Sequence, residues 1–387
     1  MSATVAGWIG LAFVFALVLE LTCRIEDWVT YRAPLFSTYT SINDLVVRDS
    51  DGMHGRPNAR YLKWAMNGLG TRGPAASVTP APGTVRVITV GASETFGLRE
   101  SPGREYPRQL EDSLNARLAR GECRGTPPRK YEVLNAGFPG MGLPTVDQDL
   151  RIRLPRLKPA IVVVYPTPAQ YLQDEVPFAP PPDSAAHPSA PPLSQALRPR
   201  TFDRMHEQIK QVLPEWLKTR LREIETREMV HNQPKDWRFT SIPPERLAAF
   251  EADLRHVIGT IHKIGAVPVL VTHGNMFMGR QTQDQDEMLV AWEKFYPRAT
   301  GRTIMAFDTT ARTVTLRIGA DSGVTTIDAA KQLETVPVSA FGDFVHFTDL
   351  GSSHMAKIVS EGVLSATSAR GICVGAATSI STTGGTQ

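Results

Sequence analysis

Cysteine and histidine are scarce in this chain, with 3 and 9 among 387 residues. None of them falls at a metal-ligand spacing, so no metal is expected. No glycine-rich phosphate loop is present, and no cofactor is expected. Charge of one sign is also lacking: the formal net charge is only +3. No Lys/Arg cluster interleaved with aromatics occurs, so nothing argues for a nucleic-acid partner. There is no internal repeat. A hydrophobic fraction of 42% and a charged fraction of 21% are ordinary for a globular protein. At this length the chain can be filled by one α/β domain with insertions.

The N-terminus lacks charge altogether. No side chain from Met1 to Leu19 is ionisable, and Gly7 to Leu19 is almost purely apolar. About 20 such residues cross a bilayer. A cleaved signal peptide would carry a basic segment ahead of the apolar run, and no Lys or Arg precedes it here. A lipoprotein signal would place small residues before Cys23, where the chain has Glu20-Leu21-Thr22. The reading is an uncleaved membrane anchor over residues 1–25, with a buried N-terminal helix as the alternative. Arg24 and Arg32 are mixed with Glu26 and Asp27 on the C-terminal flank, so charge alone does not orient the anchor. An oxidising compartment would permit a bridge between Cys123 and Cys373; two unpaired thiols are the alternative.

Beyond the anchor, residues 26–83 read as an irregular lead-in. From 84 onward strands and helices alternate. Val85–Val90, Tyr131–Asn135, Ala160–Tyr165, Val267–Thr272 and Val324–Asp328 are short, apolar or β-branched runs, as buried parallel strands require. Tyr106–Arg120, Asp147–Leu157, Phe202–Glu228, Glu245–Ile264, 286–318 with breaks, and a last segment from Thr348 to about Leu364 are predicted to be helical. Residues 176–200 hold eight prolines, Pro177, Pro180, Pro181, Pro182, Pro188, Pro191, Pro192 and Pro199, and read as an exposed insertion. With its following helix the insertion spans 176–240. The tail 371–387, rich in Gly, Ser, Thr and Ala, reads as disordered. The order implies a three-layer α/β/α domain over 84–370 with a mainly parallel sheet, preceded by a transmembrane helix. Ligands of such sheets sit at the carboxyl ends of the strands, where Ser93, Gly137, Gly140, Thr167 and His273 all fall.

Two motifs carry chemistry. Gly91-Ala92-Ser93-Glu94-Thr95-Phe96-Gly97 puts a serine on a glycine-flanked turn straight after the first strand. Asp343-Phe344-Val345-His346 offers an aspartate and a histidine three residues apart. Together they supply a nucleophile, a base and a group to orient the base. His273 reads as a strand-end cap, His354 as a residue of the last helix, and Asp328 as a turn residue.

These blocks resemble those of the SGNH (GDSL-type) hydrolase superfamily. Gly91–Gly97 is similar to its serine block, Asn135-Ala136-Gly137-Phe138-Pro139-Gly140 to its glycine block, and Asp343–His346 to its C-terminal block. The lead-in Asn67–Pro74 is similar to the segment before the serine in bacterial members. The resemblance covers about residues 67–366, apart from the insertion and its helix. It implies a serine esterase with Ser93 as nucleophile, His346 as general base and Asp343 as its orienting carboxylate. The N–H groups of Ser93 and Gly140 would form the oxyanion hole. Two departures stand out. Ala92 occupies the family's usual aspartate position, and Pro168 stands near the position of its third oxyanion donor, an asparagine. Gly137, Thr167, Gln170 or Asn275 are the candidates to replace that donor. The implied substrate is an acyl ester of a glycan, such as a carbohydrate O-acetyl group, or of a lipid. The soluble part is expected to be periplasmic or otherwise extracytoplasmic. An O-acyltransferase using the same triad, and a catalytically impaired binding or assembly protein, remain as alternatives.

Overall fold

The computed structural model describes residues 3–49, 51–124, 127–173, 193–279, 284–369 and 374–375. Five strands, β1 (Thr84–Gly91), β2 (Lys130–Asn135), β3 (Ile161–Tyr165), β4 (Val267–Val271) and β5 (Thr325–Ile327), form one sheet in the order β5-β4-β3-β1-β2. Every pairing in it is parallel. The principal helices are α1 (Ala3–Tyr31), α2 (Tyr106–Ala119), α3 (Leu143–Ile152), α4 (Arg200–Val212), α5 (Glu215–His231), α6 (Pro244–Lys263), α7 (Asp284–Phe295), α8 (Gly301–Ser322) and α9 (Asp349–Ala369).

Alternation along each strand sends side chains to two separate cores. On one face Val85, Val87, Ile161 and Val163 meet Leu110 and Leu114 of α2 and Met355, Val359 and Val363 of α9. On the other, Ile88, Val90, Val162, Val164 and Leu270 meet Leu150 of α3, Leu254 and Val257 of α6, and Val314 of α8. Each such side chain contributes about 1.5–3 kcal/mol on burial, so the sheet is rigidly clamped. Chain order reverses between β1 and β3, one strand leading outward to β2 and the other to β4 and β5. That reversal opens a crevice at the carboxyl ends of β1 and β3, where open parallel sheets bind ligands.

Several predicted boundaries move. The helix expected over Phe202–Glu228 is two helices, α4 and α5. Leu213 takes an extended ψ of 131° because Pro214 disfavours the helical region for the residue before it. The helix expected over Asp147–Leu157 starts earlier, at Leu143, and gives way at Arg153 to a 3₁₀ turn, Leu154–Leu157, that contains Pro155. The lead-in is more ordered than expected: α1 runs through to Tyr31, and Val46–Asp49 pairs antiparallel with Gly52–Gly55.

α1 exposes Trp8, Phe13 and Phe15 along a stretch long and apolar enough to cross a membrane. Its C-terminal part meets α4: Glu20 accepts from the backbone N of Arg200 at 2.9 Å and of Thr201 at 3.0 Å. Most of the proline-rich segment, and the tail apart from Val374–Gly375, lie outside the described residues. Val374–Gly375 pairs with Cys123–Arg124. Cys123 is disulfide-bonded and Cys23 is free; Cys373 lies outside the described residues.

Candidate active site

Strand β1 ends at Gly91, where φ is +157° and a Cβ would come within 2.4 Å of both the Tyr165 carbonyl oxygen and the Thr95 hydroxyl. Only glycine lets the chain turn there. The next residues form one helical turn, Ser93–Phe96, closed by Gly97 at φ 88°. Ser93 is the first residue of that turn, so its N–H has no intrahelical acceptor. Two side chains brace the turn. The buried Arg72 guanidinium donates to the carbonyls of Phe96 and Gly97. The Asn135 amide donates to the Thr95 carbonyl at 2.8 Å, and its oxygen accepts from Gly137 N at 3.1 Å.

The second motif lies in the loop between β5 and α9, pinned by the buried Phe344, Val345 and Phe347. Asp343 Oδ1 accepts from the backbone N of Val345 at 3.1 Å and of His346 at 3.0 Å. The same carboxylate accepts from His346 Nδ1 at 2.8 and 2.9 Å. His346 Nε2 lies 2.8 Å from Ser93 Oγ, across 253 residues of sequence. Arg99 Nε donates to Asp343 Oδ2 at 3.2 Å from the solvent side.

These contacts set the protonation states. Burial would raise the Asp343 carboxyl, but the hydrogen bonds and charge of His346, helped by Arg99, bring it down to about 2. Burial would lower the His346 imidazole; its bond to Asp343 and the charges of Asp343 and Glu94 outweigh this and raise it. The arrangement can therefore take a proton from Ser93 and hold the resulting imidazolium.

Ser93, Gly140, Thr167, Gln170, Phe295 and His346 are among the residues lining a cavity of about 420 Å³ at the crevice. A second cavity of similar size, between α5 and α7, is lined by Glu223, Arg227, His231 and Glu293, with no serine or cysteine among the described residues that line it.

The candidate replacements for a third oxyanion donor separate here. Gly137 N–H is taken by Asn135. A Cβ on Gly137 would come within 2.8 Å of Thr95, so its glycine serves close packing. Asn275 is turned away from the cavity: its amide donates to Asp308 Oδ2 at 2.7 Å and its oxygen accepts from Phe277 N at 3.0 Å. The Thr167 hydroxyl donates to Glu94 at 3.3 Å. Gly140 and Gln170 line the cavity.

Behind Ser93 lies a group of residues that sequence reasoning did not bring together. Glu94 is fully buried, with Oε2 3.3 Å from Ser93 Oγ and Oε1 3.2 Å from His273 Nε2. The other nitrogen of His273 is 2.8 Å from Asp308 Oδ1. The Tyr165 ring stacks on His273 with centroids 5.5 Å apart. His273 follows β4, as expected, but it is an ion-pair partner and not a strand-end cap. Asp328 does cap a turn, accepting from Lys331 N, and also pairs with Arg312. His354 lies on α9.

No family model matches the chain, and no curated protein matches it by sequence. Among solved structures it is similar to an acetylxylan esterase, Axe2, from Geobacillus stearothermophilus, at 14% identity and a TM-score of 0.39, covering 72% of this chain and 94% of that one. A lipase/acylhydrolase from Enterococcus faecalis gives 14% identity and 0.39, covering 72% and 95%. A protein from Desulfitobacterium hafniense ascribed to the lipolytic G-D-S-L family gives 11% and 0.38, covering 72% and 99%.

Proposed function

We propose that the chain is a membrane-anchored serine esterase that hydrolyses an acyl ester of a glycan or lipid through Ser93, His346 and Asp343. The observation that carries this reading is the continuous path from Ser93 Oγ to His346 Nε2 at 2.8 Å and from His346 Nδ1 to Asp343 at 2.8 Å. That path opens on a cavity at the sheet's crevice. Ser93 Oγ would attack the acyl carbon as its proton passes to His346 Nε2. The carbonyl π electrons move to oxygen. The imidazolium then returns the proton to the departing alcohol, and water repeats the sequence on the acyl-enzyme. The N–H groups of Ser93 and Gly140 would receive the oxyanion, with the Gln170 amide as the third donor.

Leu98, Phe295 and Phe344 give the cavity an apolar wall suited to an acyl group. An anchored domain held outside the cytoplasm would meet envelope glycans and lipids. The test is a fluorophosphonate probe and a short-chain p-nitrophenyl ester applied to the protein in detergent. Labelling and turnover are expected in the wild type and absent from Ser93→Ala. A folded wild type that does neither overturns the reading.

A further inference from the structure

We propose that Glu94, held by His273 and Asp308, is a positioning residue for the reaction: it aligns the Ser93 hydroxyl and stabilises the charge that His346 acquires on taking the serine proton. This rests on the reading of Ser93 as nucleophile. The hydroxyl has one proton and two acceptors, His346 Nε2 at 2.8 Å and Glu94 Oε2 at 3.3 Å. While His346 is neutral, the shorter bond holds the proton ready for transfer. When His346 in the resting enzyme takes a proton from solvent instead, its Nε2–H donates to Ser93 Oγ, and the serine, still carrying its own proton, turns it to Glu94. The path His346–Ser93–Glu94 is then satisfied at every atom.

The carboxylate must stay ionised to do this, and its surroundings provide for it. Both ring nitrogens of His273 face carboxylate oxygens, at 3.2 Å for Glu94 and 2.8 Å for Asp308. Only the imidazolium has two N–H donors to fill both contacts. Asp308 accepts in addition from Asn275 at 2.7 Å, and Glu94 from the Thr167 hydroxyl at 3.3 Å. Burial would raise the Glu94 carboxyl; the bond and charge of His273, with that of His346, hold it below the ordinary range.

The charged groups acting on His346 are Asp343 from its own loop, Arg99 from the segment after the Ser93 turn, and Glu94 from that turn itself. Around Glu94 stand His273 after β4 and His346, with Ser93 and Thr167 as neutral donors. The buried Tyr106 and Tyr165 and the half-buried Tyr296 are phenols nearby that desolvation keeps protonated. Asp308 reaches the group through His273 from α8.

The test is the pH dependence of kcat/KM for wild type and Glu94→Gln. The neutral variant is expected to move the acid limb down by about one pH unit and to lower the plateau about tenfold, one unit and one decade being the same free energy. A fall in rate with an unmoved limb would make Glu94 merely structural and overturn the proposal. Probe labelling of Ser93 separates the two levels. An unlabelled wild type defeats the esterase reading and this inference with it, whereas a labelled wild type with superimposable limbs defeats the inference alone. Should Glu94→Gln not fold, ¹⁵N-histidine spectra of the wild type decide. His273 is expected to remain doubly protonated at pH 8; a neutral ring there removes the cation that the proposal requires.

Discussion

Two histidines stand on either side of the same serine turn, each bonded to a carboxylate, and they differ in access. His346 borders the cavity and faces a hydroxyl. His273 is sealed, with a side chain 1% exposed between carboxylates 1% and 0% exposed. The first can exchange its proton with a reacting group. The second cannot, and it is pushed up to about 10: burial opposes its charge, but Asp308 and Glu94 outweigh burial. The difference shows how one chemical pairing serves two ends. An accessible imidazole beside one carboxylate has a movable proton. A sealed imidazole between two carboxylates is a fixed cation.

The sharpest way to break this comparison is to remove each ring in turn. His346→Ala is expected to lower kcat by about 10⁴–10⁶-fold, as loss of a triad member does, while urea unfolding changes little. His273→Ala is expected to behave in the opposite sense. It leaves Glu94 and Asp308 buried without their cation, at a cost of about 3–5 kcal/mol in unfolding free energy. If His346→Ala proved the strongly destabilised variant, the assignment of fixed and movable protons would be reversed.

A change of pH sharpens the same contrast. In the proposed reaction His346 must be neutral to accept the serine proton, and its folded value lies above the ordinary histidine value. The acid limb of kcat/KM is therefore expected above pH 6.5 or so. For His273 the quantity is stability. Its folded value, about 10, is above the unfolded value. The stabilisation is thus complete below about pH 6.5 and is lost as pH rises toward 10. Burial also pushes the Glu100 carboxyl up to about 7; its destabilisation grows as pH rises from about 4.5 to 7 and is constant above that. Burial holds the Lys63 ammonium at about 8, and its release as pH rises acts in the opposite sense, so His273 is read from a difference: across pH 7, 8.5 and 10 in urea unfolding, the stability of wild type minus that of His273→Gln is expected to fall.

The same division governs what the sequence disclosed. Strands β1, β3 and β4 were legible because burial on both faces demands continuous runs such as Val85–Val90 and Ala160–Tyr165. Ser93 was legible because its turn needs glycines at 91 and 97, and Asp343 and His346 because three residues bring both side chains onto one loop. The group around Glu94 left no such mark. Its bonds span 179 residues to His273 and 35 more to Asp308, and no periodicity links them. Asn275 was a plausible oxyanion donor by position at a strand end, and only its contact with Asp308 turns it away. The break at Leu213 could have been read from Pro214, but the charged helical pattern on both sides masked it.

The smallest expected effect concerns the solvent side of the accessible histidine. Arg99 is 56% exposed and touches Asp343 through one contact at 3.2 Å. Its charge favours the ionised carboxylate and disfavours the imidazolium. Arg99→Ala should therefore raise the acid limb of kcat/KM by a few tenths of a pH unit. Because exposed pairs are worth about 0–1 kcal/mol, the plateau should change by no more than about fivefold. Molar salt, which shortens the screening length to about 3 Å, should move the wild-type limb in the same direction and leave the variant's nearly unmoved. A plateau loss well beyond tenfold that salt does not reproduce would mean something else. Arg99 lines the cavity, and such a loss would place its guanidinium on the substrate and not on the triad.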